Sequence, residues 1–318
     1  MSLCHSLAVL VTVCSLTNFS TTSFAQRTAL RVGTNSIAST EAVLIALAQD
    51  AGILVKHDLA IEMVFIPGGT LAVQALIGRS LDLLVSGGTP FLHAFLEGAR
   101  LKILGGVSNR LPYTFMARGD IASGAQLKGK KIGISRYGST DDFAVKLALS
   151  QFGLSLKSDV SIIQVGATSA RFAALKSGSI DAAVLSSGLT QLARKLGYHV
   201  LLDFLEKDIE YQQAAIIAQD DFLKARADIV RRFMNAYLEG IRHYKSHREE
   251  AVKKTMSLLR IDDRQAAEID YHYRSRALPE DGRPTLKGLQ MALDDLAKDI
   301  PKAKNLRMDQ FLDLSFIP

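Results

Sequence analysis

One phrase of helix, turn and strand is written twice in this chain. ALIGRSLDLLVSGG, from Ala75 to Gly88, returns as ALKSGSIDAAVLSSG, from Ala174 to Gly188. Ala75, Leu76, Ser80, Asp82 and Val85 recur at a constant offset as Ala174, Leu175, Ser179, Asp181 and Val184. The echo predicts two α/β units of similar build, each using the phrase at a corresponding place. Chance likeness of helix–Gly–strand wording is the alternative.

The rest of the chain supports two units. Leu30 to Gly33 reads as a strand, Glu41 to Leu54 as an apolar-striped helix, and Ile61 to Ile66 as an alternating strand. Asp82 to Val85, Lys102 to Leu104 and Tyr113 to Met116 add strands, and Thr89-Pro90 opens a helix. This βαβα rhythm predicts mostly parallel sheets faced by helices. A fresh start follows residue 120, with strands at Ile132 to Ile134 and Val160 to Val165 around a helix from Ser139 to Phe152. The C-terminal third turns helical. Phe222 to Tyr244, Glu249 to Leu259 and Leu286 to Leu296 carry amphipathic stripes, read as packing on the first unit. A length of 318 residues suits two domains.

The N-terminus reads as an export signal, 1–25. Leu7 to Leu16 is an apolar run too short to span a bilayer, and Ser23-Phe24-Ala25 offers a cleavage site before Gln26. The first ten residues carry no Lys or Arg, which departs from the usual pattern; an uncleaved anchor is the alternative. Both cysteines, Cys4 and Cys14, lie in this segment, so the mature chain is expected to lack disulfides, zinc–thiolate sites and cysteine nucleophiles. The net charge of +6 comes from scattered Lys and Arg, not a basic stripe, which argues against nucleic acid.

Small polar residues recur where strands end, the place where open α/β sheets bind ligands. In the first unit they are Thr34-Asn35-Ser36, Gly68-Gly69-Thr70 and Ser86-Gly87-Gly88-Thr89. In the second they are Ser135-Arg136-Tyr137-Gly138-Ser139-Thr140, Gly166-Ala167-Thr168-Ser169 and Ser186-Ser187. Glycine admits a ligand to the backbone, and helix starts donate hydrogen bonds to negative groups. Ordinary capping is the alternative for each residue alone; their accumulation at six strand ends points to a site. Asp141-Asp142 cuts against a purely anionic ligand. Arg136 and Arg171 offer compensating charge, although Arg171 also reads as a surface arginine. His243, His247 and His272 show no metal-like spacing, and no nucleophile-elbow, zincin, Walker or dinucleotide motif is present. No catalytic residue, metal or cofactor is expected.

LKGKKIGISRYGSTDDF (Leu127 to Phe143), SIDAAVLSS (Ser179 to Ser187) and the helical stretch Asp221 to Ala251 resemble substrate-binding proteins of ABC importers. They resemble the nitrate/sulfonate/taurine branch, which includes binders of thiamine-type pyrimidines. The resemblance implies an α/β, two-lobed type II periplasmic-binding-protein (Venus-flytrap) fold with two crossover strands. Lobe 1 would span 27–118 and return over 210–318 with its C-terminal helices, and lobe 2 would span 119–209. The crossings are placed near Met116 to Gly119 and Glu210 to Ile217.

The implied function is capture of a small polar solute by hinge closure, with an ABC permease as partner, in the periplasm, by a monomer. Sulfonate-, nitrate- or taurine-like anions are the implied class. The implied ligand positions are Ser36, Gly69, Thr70, Ser86, Gly87, Tyr137, Gly138, Ser139, Thr140, Thr168 and Ser186, to which the strand-end pattern adds Thr89, Arg136 and Ser187. Many relatives carry prolines where this chain has Ser186-Ser187. The alternative is an enzyme on the same fold, a small-molecule lyase or a biosynthetic protein of pyrimidine or menaquinone type. The cysteine-rich motif of the pyrimidine-synthase relatives is absent from the mature chain.

Overall fold

The computed structural model describes residues 27–35 and 39–318, without the side chains of Ser187 and Gly188. The expected export segment and Ser36 lie outside the described residues.

Along the chain run β1 (Thr28–Thr34), α1 (Thr40–Asp50), α2 (Ile53–Lys56), β2 (Leu59–Phe65), α3 (Gly69–Ile77), β3 (Leu83–Ser86), α4 (Gly88–Leu96) and β4 (Leu101–Arg110). Then come β5 (Tyr113–Ala117), β6 (Lys131–Ile134), α5 (Thr140–Gln151), β7 (Ser161–Gln164), α6 (Thr168–Ser177), β8 (Ala182–Ser186), α7 (Ser187–Lys195) and β9 (His199–Asp203). The return is β10 (Glu210–Gln219), α8 (Asp220–Ala225), α9 (Ala227–Ser246), α10 (Arg248–Leu259), α11 (Arg264–Ala277) and α12 (Leu286–Leu296).

Two five-stranded sheets result, ordered β2-β1-β3-β10-β4 and β7-β6-β8-β5-β9. In each sheet one strand runs against its neighbours: β10 is antiparallel to β3 and β4, and β5 to β8 and β9. Those two strands are the ones delivered by the lobe crossings. The twice-written phrase ends in β3 and β8, which hold the same place in the two orders. In the second copy, Gly178 stops α6 at φ 74, a left-handed conformation that glycine adopts without a Cβ penalty.

The first crossing falls earlier than expected. Tyr113–Ala117 pairs with β8 and β9, so the chain changes lobe at Leu111-Pro112 and not near Met116 to Gly119. Hydrogen bonding decides this: a strand belongs to the sheet that satisfies its amides, whatever its sequence neighbours do. The second crossing occupies 204–209, just before β10, and Arg110 Nε donates to Asp208 across the two linkers at 2.9 Å.

An apolar cluster on one face of the first sheet joins α1 and α9 to β1, β3 and β4, through Val43, Leu44, Phe233 and Ile241. Another runs through both lobes, from Phe91 and Leu84 to Phe115 and Val145. At the seam, Phe143 of α5 stacks on Tyr211 of β10 with centroids 4.4 Å apart. The unanticipated helix α11 leaves the first lobe to contact the second. Its Tyr273 donates to Asp203 at 2.5 Å, and Asp263 at its N-cap pairs with Lys195 of α7. No helix of the described residues is long and apolar enough to cross a membrane.

Candidate functional site

A cavity of about 80 Å³ lies between the lobes. Five helices of the described residues begin at its wall: α1 and α3 from the first lobe, and α5, α6 and α7 from the second. They begin there because each follows a strand that ends at the interface. The helix starts are of two kinds. Ser39 caps α1 by accepting from Ala42 N–H, and Ser139 caps α5 by accepting from Asp142 N–H. Gly68, Ala167 and Ser186 precede α3, α6 and α7 without a side-chain cap. Those three helix starts retain donor capacity and positive partial charge toward the cavity.

Charged groups complete the wall. Arg171, only 4% exposed, sits 3.3 Å from Asp141 and donates to the carbonyls of Val184 and Gly166 at 3.1 and 2.7 Å. The surface reading of Arg171 is therefore corrected: α6 turns it inward, where a carboxylate and two carbonyls replace its water. Asp141 also accepts from Ser135 N–H at 2.5 Å, Ser135 Oγ at 2.6 Å and Ser139 Oγ at 3.0 Å. Asp142 turns away to Gly138 N–H and Lys146. Both aspartates are buried, Asp141 beside this cavity and Asp142 away from it.

Arg274, from α11, reaches the same cavity. Asp270 accepts from its Nε at 2.5 Å, and Thr40 Oγ1 lies 3.4 Å from Nη1. Burial works against its charge, but Asp270 holds the guanidinium firmly protonated. Glu41 differs. It accepts from Thr34 Oγ1 at 2.6 Å, and among the described residues no Lys, Arg or His nitrogen comes within salt-bridge distance. Burial raises its pKa above the ordinary glutamate value, against the lowering pull of Thr34 and Ser39. Burial, and then Asp141, also push the Tyr113 phenol up to about 12. Gln213 of β10 donates to that phenol at 3.3 Å, joining the two lobes at the cavity floor.

Of the ligand positions expected from sequence, Gly69, Ser139, Thr140, Thr168 and Ser186 line this cavity, with the strand-end residues Asn35, Gly68, Ser135 and Ala167 beside them. Ser86, Gly87 and Thr70 do not. Ser86 is fully buried behind Gly69, with no hydrogen-bond partner for its Oγ, and the Thr70 hydroxyl is likewise buried and unpartnered. Gly87 is pressed against Thr140 of the other lobe. Thr89 hydrogen-bonds Tyr211, and with Tyr137 and Gly138 it lines a separate interlobe cavity of about 180 Å³ beside His93. Arg136 is exposed and lines neither cavity. The Ser187 backbone opens α7. Glu41, Arg274, Tyr113 and Gln213 escaped the sequence reading. First-turn Glu41 carried a signal, as an acid at a strand-end helix start; Arg274 carried none.

Comparison with known proteins shows the fold and the family. A Brucella abortus (strain 2308) protein, named as a candidate binding protein, is 28% identical over 235 residues, 69% of this chain and 68% of its own length. The alkanesulfonate-binding protein SsuA of Xanthomonas axonopodis pv. citri, solved with MOPS, superimposes with a TM-score of 0.73 at 21% identity, over 89% of this chain and 96% of its own. The desulfurization enzyme DSZB has the same fold with a TM-score of 0.64 at 15% identity, over 90% of this chain and 97% of its own. A binding protein and an enzyme thus share this architecture, which is the periplasmic-binding-protein fold. Residues 39–251, from the cap of α1 into α10, match the model of the family described as NMT1/THI5 like, and the chain belongs to that family.

Proposed function

We propose that this protein is the solute-binding component of an ABC importer, working as a monomer in the periplasm and delivering its cargo to a membrane permease. The observation that carries the reading is the interlobe cavity, onto which five helix starts converge from both lobes. A solute there bridges the lobes, so its binding energy favours the closed form that a permease would recognise.

The wall chemistry narrows the cargo. The uncapped starts of α3, α6 and α7 suit an acceptor-rich head such as a sulfonate or carboxylate. Glu41 suits a donor on the same solute. Asp141 and Asp270 already occupy Arg171 and Arg274, so neither guanidinium brings a free positive charge. A taurine-like solute, anionic at one end and amino at the other, satisfies both sets. The volume of about 80 Å³ is far below the ~300–1,000 Å³ of drug-sized sites, which favours a compact molecule.

The test is a thermal-shift panel of taurine, alkanesulfonates, nitrate, bicarbonate, aromatic carboxylates and pyrimidines, followed by calorimetry. The proposal expects one compact polar compound to raise the melting temperature, and Ser139→Ala/Thr140→Ala to abolish the rise. A retained shift in that double variant would place the ligand elsewhere. The second reading is an enzyme on the same fold, favoured by Glu41, a buried carboxyl able to hold a proton beside the cavity. Turnover of the bound compound, lost in Glu41→Gln, would replace the transport reading.

A further inference from the structure

A second constellation lies at the joint between α9 and α10. His243 is in the last turn of α9, His247 is the joining residue, and Glu250 is in the first turn of α10. His247 N–H still donates to the His243 carbonyl, so the two histidines share the last turn of α9. One ligand atom from each lies within 4.8 Å of the others. His243 Nε2 is 3.0 Å from Glu250 Oε2. The two imidazoles stack with centroids 3.9 Å apart and planes 19° from parallel, so their edges leave the helix side by side.

The surroundings prepare these groups for a cation. His247 Nδ1 lies 3.1 Å from the His243 carbonyl and 2.8 Å from Ser246 Oγ. Donation of Nδ1–H to that carbonyl leaves the lone pair on Nε2, the outer arrangement that orients metal-binding histidines. Four nearby cations are engaged elsewhere. Lys245 pairs with Glu280, Arg248 with Glu268, Arg264 with Glu249, and Lys254 with Asp50. None of the three residues lines the cleft cavity.

We propose that His243, His247 and Glu250 form a surface site for a divalent transition metal of the zinc class, separate from the solute cleft. Two imidazoles and a carboxylate suit zinc, nickel or copper, with water completing the coordination. Calcium and magnesium take oxygen ligands and are poorly matched. Bound metal ties the end of α9 to the start of α10, where His247 interrupts helical geometry at φ −117, ψ 60. His243 and His247, which the sequence reading left without metal-like spacing, share one helical turn.

The experiment uses the untagged full chain, stripped with chelator, and titrates zinc by calorimetry and cobalt by visible absorption. The expected result is one saturable equivalent that raises the melting temperature. His247→Gln and Glu250→Gln should each weaken binding more than about tenfold without changing the metal-free melting temperature. His243→Ala/His247→Ala should abolish both the binding and the thermal rise. Absence of saturable binding in the wild type, or wild-type affinity in the double variant, would overturn the assignment.

Discussion

Gly87 of the first lobe lies directly against Thr140 of the second. A methyl group at Gly87 would overlap the Thr140 hydroxyl oxygen, with the Gln213 carbonyl and Pro90 Cδ each 3.3 Å away as a second barrier. The described conformation is therefore closed at this point to the limit of atomic contact.

Gly87→Ala should hold the lobes apart. The radius of gyration from small-angle scattering should rise, and solute affinity should fall more than about tenfold, because closure would then cost more than about 1.4 kcal/mol extra. Gly87→Ala/Thr140→Ala should recover the compact radius. An unchanged radius in Gly87→Ala would show that Thr140 can give way without moving the lobe.

Arg274 and Asp270 form a buried pair, 4% and 0% exposed. Arg274→Met should destabilise the fold by about 3–5 kcal/mol, because Asp270 stays buried without its guanidinium. Arg274→Met/Asp270→Leu should regain most of that loss, as read by urea unfolding. Equal stability of the single variant and the wild type would mean that water reaches Asp270 freely.

Glu41 carries a pH signature. Its folded pKa lies above its unfolded value because burial disfavours the carboxylate. The stability this contributes is full below the ordinary glutamate pKa of 4.5 and is lost as pH rises through the raised folded value. Glu41→Gln should therefore gain stability relative to the wild type as pH rises from 4.5 into that window. A melting-temperature difference that stays flat over this range would contradict the assignment.

Tyr273 ties α11 to the second lobe through Asp203. Tyr273→Phe should cost about 1 kcal/mol in unfolding free energy, the usual worth of one hydrogen bond. The same variant should loosen closure, measurable as faster amide exchange in β9 and α7. Exchange unaltered in both elements would show that Lys195 and Asp263 hold the contact alone.

Much of the architecture was legible locally. The phrase at Ala75 and Ala174 announced two matched units because helix and strand periodicities are properties of short segments. Strand-end hydroxyls and glycines announced where helices begin, and seven of those residues do line the cavity. The crossing at Leu111-Pro112 was missed because Tyr113–Ala117 has the same strand character in either sheet; only its partners β8 and β9 distinguish them. Helix α11 was missed because its segment is dominated by polar and charged residues, with a weak apolar stripe.

The charged half of the site was not legible. Arg171 and Arg274 look like solvated arginines until Asp141 and Asp270 are found beside them. A buried charge is tolerable only through its partners, and those partners are set by tertiary packing. Gly87 shows the same limit in reverse: its sequence context matched a ligand-binding glycine, but the opposing lobe occupies the space. Residue order alone specifies two α/β units, their polar strand ends and the helices that start there. Tertiary structure decided which of those ends face solute, which face each other and which charges are neutralised, because backbone periodicity sets direction within an element but not the placement of one lobe against another.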